Sequence, residues 1–279
     1  MSRPLTALLV VLTIVLTGCR GQDAQVLLDG ASDALHAAGT SRFEMTVETV
    51  GEGSGRFEAE GAQDLTTGAL RMVIDLGDDA TRTETLLLGS EIFVRSPLFA
   101  LFTGDEATWV RVDLEETAER QGLDGQALVG EQTGPAALLA QLDGASGDLE
   151  TLGSAEVRGV DTTHLRVTVD TRAAIEQADP SVRQQLRAYA EASGLPDTYP
   201  MQLWIDDDGL VRRIRTVLDV PSGRGGEDVT QQTTLELYDF GVNVDLRAPL
   251  PEETVELTEL ARELERLEEL DQLDAEDGS

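Results

Sequence analysis

Apolar residues recur every three or four positions near the start of the chain, and at every second position over most of the remainder. The first spacing predicts a helix over residues 22–38, with Leu27 and Leu35 on its apolar face and Gly39 at its end. Residues 42–49 alternate apolar and polar side chains, which is typical of a strand with one face in water. The two patterns place a helix directly before the first strand of a sheet.

The same alternation predicts nine more strands. The Asp-Asp-Asp-Gly run at 206–209 indicates a hairpin turn, and Gly159 is expected to bend one long strand. Strands and helices do not alternate one by one, which favours an α+β fold: a large curved antiparallel sheet with helices on one face. The nine predicted strands cover residues 56–61, 69–76, 82–88, 91–95, 108–113, 155–170, 199–205, 210–220 and 230–240.

The segments between the strands have other patterns. Residues 96–102 (SPLFALF) are predicted to form a compact apolar loop, and 114–130 are compatible with one helical turn or a loop. Residues 135–142 predict a short helix with proline in its first turn. Residues 171–193 predict a helix in two pieces, and the prolines of residues 248–251 are expected to end the sheet.

The last part of the chain, residues 251–279, is rich in glutamate and leucine. We expect an acidic tail that is solvated and partly helical or disordered. Its leucines recur at helical spacing and form an apolar seam, but this seam is too short to define a coiled coil. A role in binding a partner protein of the cell envelope stays open. The seam consists of Leu257, Leu260, Leu264, Leu267 and Leu270.

The first nineteen residues have the features of an export signal. Arg3 precedes an apolar run over residues 5–16, which is too short to span a membrane. The run ends in Leu-Thr-Gly-Cys, which resembles a bacterial lipobox, and Cys19 is the one cysteine of the chain. This predicts a lipoprotein with a signal peptide at 1–18. Its Cys19 would carry acyl chains such as palmitate and hold it on the extracytoplasmic face of the cell membrane. The alternative is an ordinary secretory signal.

Composition limits the partners. The 53 acidic and 21 basic residues give a net charge of -32, which disfavours binding to nucleic acid. A single cysteine excludes an internal disulfide, and two histidines provide few ligands for a metal site. We therefore expect no metal, no cofactor and no nucleic-acid partner.

Catalytic chemistry has little support in the sequence. His36 and His164 are the two histidines, and no Gly-x-Ser-x-Gly elbow accompanies them. The aspartates at 206–208 lack the alternate spacing of a calcium loop. The sequence therefore predicts a protein that is not an enzyme.

The space between sheet and helices is the remaining candidate site. It would be an ordinary core if filled, and a pocket for an apolar ligand if hollow. The two phenylalanines of the segment at 96–102 could lie at the mouth of such a pocket. The candidate ligand-binding residues are Phe43, Met45, Leu88, Phe93, Phe99, Phe102, Leu138, Leu142, Leu165, Val167, Leu186, Tyr189 and Leu203.

Four segments carry a family resemblance: residues 109–113, 159–165, 203–213 and 238–244, together with the lipobox. Over residues 19–250 the chain resembles the LppX/LprG-type lipoproteins of actinobacteria, within the LolA-like superfamily. The resemblance implies a half-barrel sheet whose concave face is closed by helices, and a lipid or glycolipid in the enclosed cavity. The acidic tail is not a feature of that family.

Two functions follow as hypotheses. The first is a monomeric, membrane-anchored carrier that binds a lipid or glycolipid and moves it across the cell envelope. The second is an envelope sensor or protein-interaction module with a filled core and no lipid cargo. An enzyme is the weakest alternative, because the sequence does not single out a set of catalytic groups.

Overall fold

One sheet of twelve strands dominates the described part of the chain. The computed structural model describes residues 20–51, 54–75, 82–105, 108–121, 135–140, 142, 148–177, 183, 187, 190, 194–220, 229–260 and 262. The strands are β1 (Thr40–Val50), β2 (Gly55–Asp64), β3 (Leu70–Asp75), β4 (Thr83–Leu88), β5 (Glu91–Arg95), β6 (Trp109–Asp113), β7 (Leu149–Val157), β8 (Val160–Asp170), β9 (Thr198–Ile205), β10 (Val211–Val220), β11 (Val229–Tyr238) and β12 (Thr254–Glu256).

Five helices with defined bounds and one 3₁₀ turn, at Pro251–Glu253, accompany the sheet, and the described ranges contain further helical residues at 183, 187, 190, 257–260 and 262. The predicted helices at 22–38 and 135–142 are confirmed, as is the first piece of the helix at 171–193. Of its second piece, the described residues 183, 187 and 190 are helical. The helices are α1 (Arg20–Ala38), α2 (Pro97–Thr103), α3 (Leu114–Gln121), α4 (Pro135–Ala140) and α5 (Thr171–Gln177).

The strands follow the order β12-β6-β5-β4-β3-β2-β1-β11-β10-β9-β8-β7 across the sheet. Neighbouring strands are antiparallel except β12, which runs parallel to β6. This confirms the predicted α+β class with a large, mostly antiparallel sheet.

Helix α1 covers one face of the sheet, called here the inner face. Its residues Ala24, Leu28, Ala31 and Leu35 are buried at helical spacing and pack into the same apolar cluster as the strands. At Gly209 in the β9–β10 turn, a Cβ atom would lie 3.4 Å from the Ala34 Cβ, so this turn abuts the helix. The opposite face of the sheet is the outer face.

The apolar segment after β5 is a helix, so the predicted loop at 96–102 is wrong. The Ser96 side chain accepts a hydrogen bond from the Leu98 backbone nitrogen at 3.4 Å, and Pro97 fits the first turn. Gly104 ends the helix in the left-handed region, with φ of 75°. The capping residues at both ends therefore favour a helix here, although the irregular apolar pattern predicted a loop.

The predicted bend at Gly159 is instead the turn of a hairpin. Arg158 and Gly159 both have positive φ, at 51° and 80°, as a two-residue turn with the twist of the flanking strands requires. The strand predicted over 155–170 is therefore two strands, β7 and β8, and β7 begins already at Leu149.

The sheet continues beyond its predicted end at 248–251. Strand β12 pairs with β6 from Thr254 to Glu256, and the next four residues are helical, with Leu260 buried. The start of the acidic tail is therefore part of the folded structure. The other seam leucines, at 264, 267 and 270, lie outside the described residues.

Candidate functional site

Two apolar clusters lie on opposite faces of the sheet. On β4, Leu87 belongs to the inner cluster whereas Leu86 belongs to the outer one, and on β5 the same alternation separates Ile92 from Phe93. Successive side chains of a strand point to opposite faces, so the two clusters do not share one interior. The outer cluster is small and includes Trp109.

The centre of the inner face is filled. The side chains of Phe43, Leu165, Met201, Leu203 and Leu235 have no exposed surface. They come from four different strands and pack in one continuous cluster with α1. This part of the interior is a close-packed core rather than a pocket.

Packing is especially tight at Gly61 of β2. A Cβ atom there would lie 2.1 Å from the Arg71 carbonyl oxygen and 2.8 Å from the Cζ atom of Phe43. Glycine at this position therefore lets the Phe43 ring lie directly against the backbone of β2. The centre leaves no room even for one additional methyl group at this point.

A cavity of about 260 Å³ lies at one end of the same cluster. It is enclosed by the C-terminal part of α1, the β2–β3 turn and the residues around α4. Its apolar side chains are Leu35, Leu65, Leu70, Leu139 and Leu142. Leu35, Leu70 and Leu142 are buried, so the cavity continues the apolar interior instead of lying on the surface.

Gaps in the covering elements explain the position of this cavity. Helix α1 ends just before Gly39, and α4 has only six residues. Gly68 in the β2–β3 turn also lines the cavity, and a Cβ atom at that residue would meet no atom within 4 Å. Within the described residues, short elements and a residue without a side chain leave the end of the apolar face incompletely covered.

The mouth of the cavity is polar. Ser32 and the exposed His36 contribute from α1, and Gln63 and Asp64 from the end of β2. Gln63 is buried and donates from Nε2 to the Ser41 hydroxyl at 3.2 Å. An apolar slot with hydroxyl, amide, imidazole and carboxylate groups at its opening suits an amphiphilic molecule.

Asp64 is held as a carboxylate by the turn that follows it. Its Oδ1 accepts hydrogen bonds from the Thr66 hydroxyl at 2.6 Å, the Thr66 nitrogen at 2.8 Å and the Thr67 nitrogen at 3.1 Å. These bonds, the one from the Thr66 hydroxyl most of all, hold the pKa of Asp64 below its usual value. The mouth therefore carries a negative charge at neutral pH.

The structure brings together seven of the thirteen predicted pocket residues. They share the inner cluster, and of these Leu142 lines the cavity. The others fill the core or pack beside it. The seven are Phe43, Met45, Leu138, Leu142, Leu165, Val167 and Leu203.

The expectation that Leu88 and Phe93 line the same interior is corrected, because both belong to the outer cluster with Trp109. Leu246, from the segment after β11, packs against this cluster. Phe99 is half-buried on α2 and belongs to neither cluster. The side chains of Phe102, Leu186 and Tyr189 lie outside the described part of the structure.

Sequence reasoning missed four of the five leucines that line the cavity: Leu35, Leu65, Leu70 and Leu139. Two of them could have been found from the sequence. Leu35 lies on the predicted apolar stripe of α1, and Leu139 lies between the predicted ligand-binding residues Leu138 and Leu142. What the pattern could not show is which apolar side chains border empty space and which contact other side chains.

Charged groups on the outer face are paired. The Glu84 carboxylate accepts a hydrogen bond from Arg71 Nε at 2.6 Å and another from Arg95, whose guanidinium lies 4.6 Å from the centre of the Trp109 ring. Burial raises the pKa of Glu84, but these two hydrogen bonds outweigh that effect and hold the pKa below its usual value. This cluster stabilises the sheet, and both carboxylate oxygens of Glu84 are paired with arginine.

A second set of contacts closes the outer face near β11. Arg158, in the β7–β8 turn, pairs with Glu44 of β1 and with Glu236 of β11, the latter at 2.7 Å. Its guanidinium also stacks on Tyr238, 4.0 Å from the ring centre. Burial raises the pKa of Tyr238, so this hydroxyl stays protonated.

Asp206 and His164 make contacts that stabilise the fold. Asp206 Oδ1 accepts hydrogen bonds from the backbone nitrogens of Asp208 and Leu210, and its Oδ2 pairs with Arg212 Nε at 2.6 Å. His164 stacks on Trp204, with 4.1 Å between ring centres. Across the described ranges no three His, Cys, Asp or Glu side chains are grouped as metal ligands.

The membrane anchor predicted at Cys19 lies outside the described residues, so lipidation stays a prediction. None of the helices that the structure describes combines the length and the apolarity needed to cross a membrane.

No family model matches the chain. A curated relative is an uncharacterised 31.2 kDa protein encoded in the rplA–rplJ intergenic region of Streptomyces griseus. The two sequences are 26% identical over 163 residues, which is 56% of this chain and 50% of the relative. The chain thus spans about half the length of this relative.

Several solved structures are similar to the chain. LprF from Mycobacterium bovis gives a TM-score of 0.47 at 16% identity, covering 82% of this chain and 97% of LprF. The Mycobacterium tuberculosis lipoprotein LppX gives 0.43 at 16% identity, with 80% and 99% covered. A LolA superfamily protein from Nitrosomonas europaea gives 0.27 at 12% identity, with 82% and 95% covered.

Proposed function

We propose that this protein is an envelope lipoprotein that binds an acyl chain of a lipid or glycolipid in the cavity beside α4 and carries it across the cell envelope. The cavity at the end of the inner cluster is the observation that carries the proposal. It joins an apolar slot lined by leucines to a polar mouth formed by α1 and the end of β2. In this function the protein acts without catalysis.

The hydrophobic effect would supply the affinity. Each methylene group that leaves water for an apolar environment contributes about 0.8 kcal/mol. Leu35, Leu70 and Leu142 are already buried, so the ligand would fill existing space without first opening the core. A preformed slot of this kind lowers the ordering cost of binding.

The lipobox supports an envelope location. Acylation at Cys19 would hold the protein on the extracytoplasmic face of the membrane, where lipids and glycolipids in transit are available. We propose that it acts there as a monomer, and that the acidic tail is the part available to an envelope partner.

Native mass spectrometry of the protein purified from its host envelope tests the proposal. The wild-type protein is expected to carry an acyl lipid in defined stoichiometry. A Leu139→Trp variant, whose indole would fill the cavity, is expected to lose most of it. Val26→Trp is the matched control, because Val26 is 71% exposed on the same helix that contributes Leu35 to the cavity. Equal lipid content in Leu139→Trp and wild type would contradict the proposed site.

The filled centre of the inner face favours a second candidate, an envelope sensor or protein-interaction module. Its fully buried side chains are what a protein without cargo would have. This candidate predicts an apo mass that host lipids leave unchanged. In that case the search would turn to protein partners of the tail.

A further inference from the structure

The cavity is small for a lipid site. At roughly 30 Å³ per methylene group, about the share of one water molecule in the liquid, a volume of about 260 Å³ holds on the order of nine methylenes. Pockets that enclose a drug-sized ligand usually have about 300–1,000 Å³. The slot therefore has room for part of one acyl chain.

Among the described residues, the inner cluster offers no space for a second chain. Its centre is filled by Phe43, Leu165 and Leu203, none of which has exposed surface. Tight contacts at Gly61 fix Phe43 against β2. Widening the slot would require several close-packed side chains to move together, which close-packed cores resist.

The mouth selects against an anionic head group. Asp64 holds a negative charge there, and Ser32, His36 and Gln63 provide hydroxyl, imidazole and amide groups. Among the described lining residues there is no arginine that could pair with a phosphate or a carboxylate. The net charge of -32 repels such a head group as well.

We infer that, if the proposed function holds, the ligand is an amphiphile with a single chain in the slot and an uncharged, hydroxyl-bearing head group at the mouth. The chain would lie between Leu35, Leu139 and Leu142. The head group would exchange hydrogen bonds with Ser32, Gln63 and Asp64. A lipid with two or more chains would have to leave the additional chains in water.

Calorimetric titration of 1-monoacylglycerols of six to fourteen carbons measures the capacity of the slot. The protein is the mature chain, residues 19–279, with Cys19→Ser so that no acyl anchor competes. Affinity is expected to rise about fourfold with each methylene and to level off near nine or ten carbons. Leu139→Trp should remove this binding, whereas Val26→Trp should leave it unchanged. A rise that continues to fourteen carbons would overturn the assigned capacity.

A matched pair of probes tests the number of chains. Monooctanoylglycerol is expected to bind one to one, and dioctanoylglycerol at least tenfold more weakly. If dioctanoylglycerol binds as tightly or more tightly, the single-chain inference is wrong although the proposed function stands. If neither probe nor octanoate binds, both the inference and the proposed function are wrong.

Octanoate tests the head group, because it has the same chain with a negative charge. It is expected to bind at least tenfold more weakly than monooctanoylglycerol. Asp64→Asn keeps the oxygen that accepts the turn hydrogen bonds but removes the charge, so octanoate affinity should rise roughly threefold to tenfold. Monooctanoylglycerol affinity should change much less than octanoate affinity, because this probe has no charge for the Asp64 carboxylate to repel. Equal binding of the two probes to the wild-type protein would overturn the head-group assignment.

Discussion

The centre and one end of the inner apolar face differ in how completely they are covered. At the centre, long strands and the middle of α1 bring large side chains together, and Phe43 and Leu203 have no exposed surface. At the end beside α4, α1 stops, the described part of α4 has six residues and Gly68 contributes no side chain, so a cavity remains. The same apolar composition thus gives a core in one place and a candidate binding slot in the other. Element length, more than hydrophobicity, decides which one forms.

The largest effect is expected at the centre. Phe43→Ala would leave a void among fully buried neighbours and should lower the free energy of unfolding by about 4 kcal/mol. Chemical denaturation followed by circular dichroism measures this change. A loss below about 1 kcal/mol would show that the centre can collapse or is less tightly packed than described.

A smaller effect is expected at the cavity. Leu142→Ala removes a buried side chain that already borders empty space, so the loss should be about 2 kcal/mol, at the low end for leucine truncations. The same denaturation experiment, run beside the Phe43 variant, compares the centre with the cavity end. If Leu142→Ala lowers the free energy of unfolding as much as Phe43→Ala does, the centre and the cavity end are packed equally tightly, which would contradict this account.

The smallest effect is expected on the outer face. Glu84→Gln removes the charge between Arg71 and Arg95, and should cost about 1 kcal/mol at pH 7. Because the folded state lowers the pKa of Glu84 from 4.5, its contribution is complete above that pH and disappears as the pH falls through the lower folded value.

Unfolding measured at several pH values between 7 and 3 tests this assignment. The difference between wild type and Glu84→Gln should be constant above about pH 5 and shrink at lower pH. A difference that grows on acidification would contradict the pairing of Glu84 with the two arginines.

Local signals predicted most of the fold. The alternation over 42–49, the helical stripe before it and the Asp-Gly turn at 206–209 each have a counterpart in the structure. These signals work because each depends only on residues close in sequence. The parallel pairing of β12 with β6 did not follow from such signals, because it joins residues about 145 positions apart.

The candidate site was predicted only in part. Leu86, Leu87 and Leu88 are consecutive leucines, so alternation cannot assign them to a face, and Leu88 was placed on the wrong one. Leu142, one of the predicted ligand-binding residues, lines the cavity, and so does Leu35, which was not among them. Whether an apolar side chain borders a void depends on where distant elements end, which no local pattern contains.

The most direct test of the central claim is a crystal structure of the protein with 1-(9-bromononanoyl)glycerol. An anomalous bromine peak inside the cavity, between Leu139 and Leu142 and with the glycerol near Asp64, is the predicted result. A bromine peak on the outer face beside Trp109, or a cavity without bromine at saturating probe, would contradict the assignment of this cavity as the acyl-chain site.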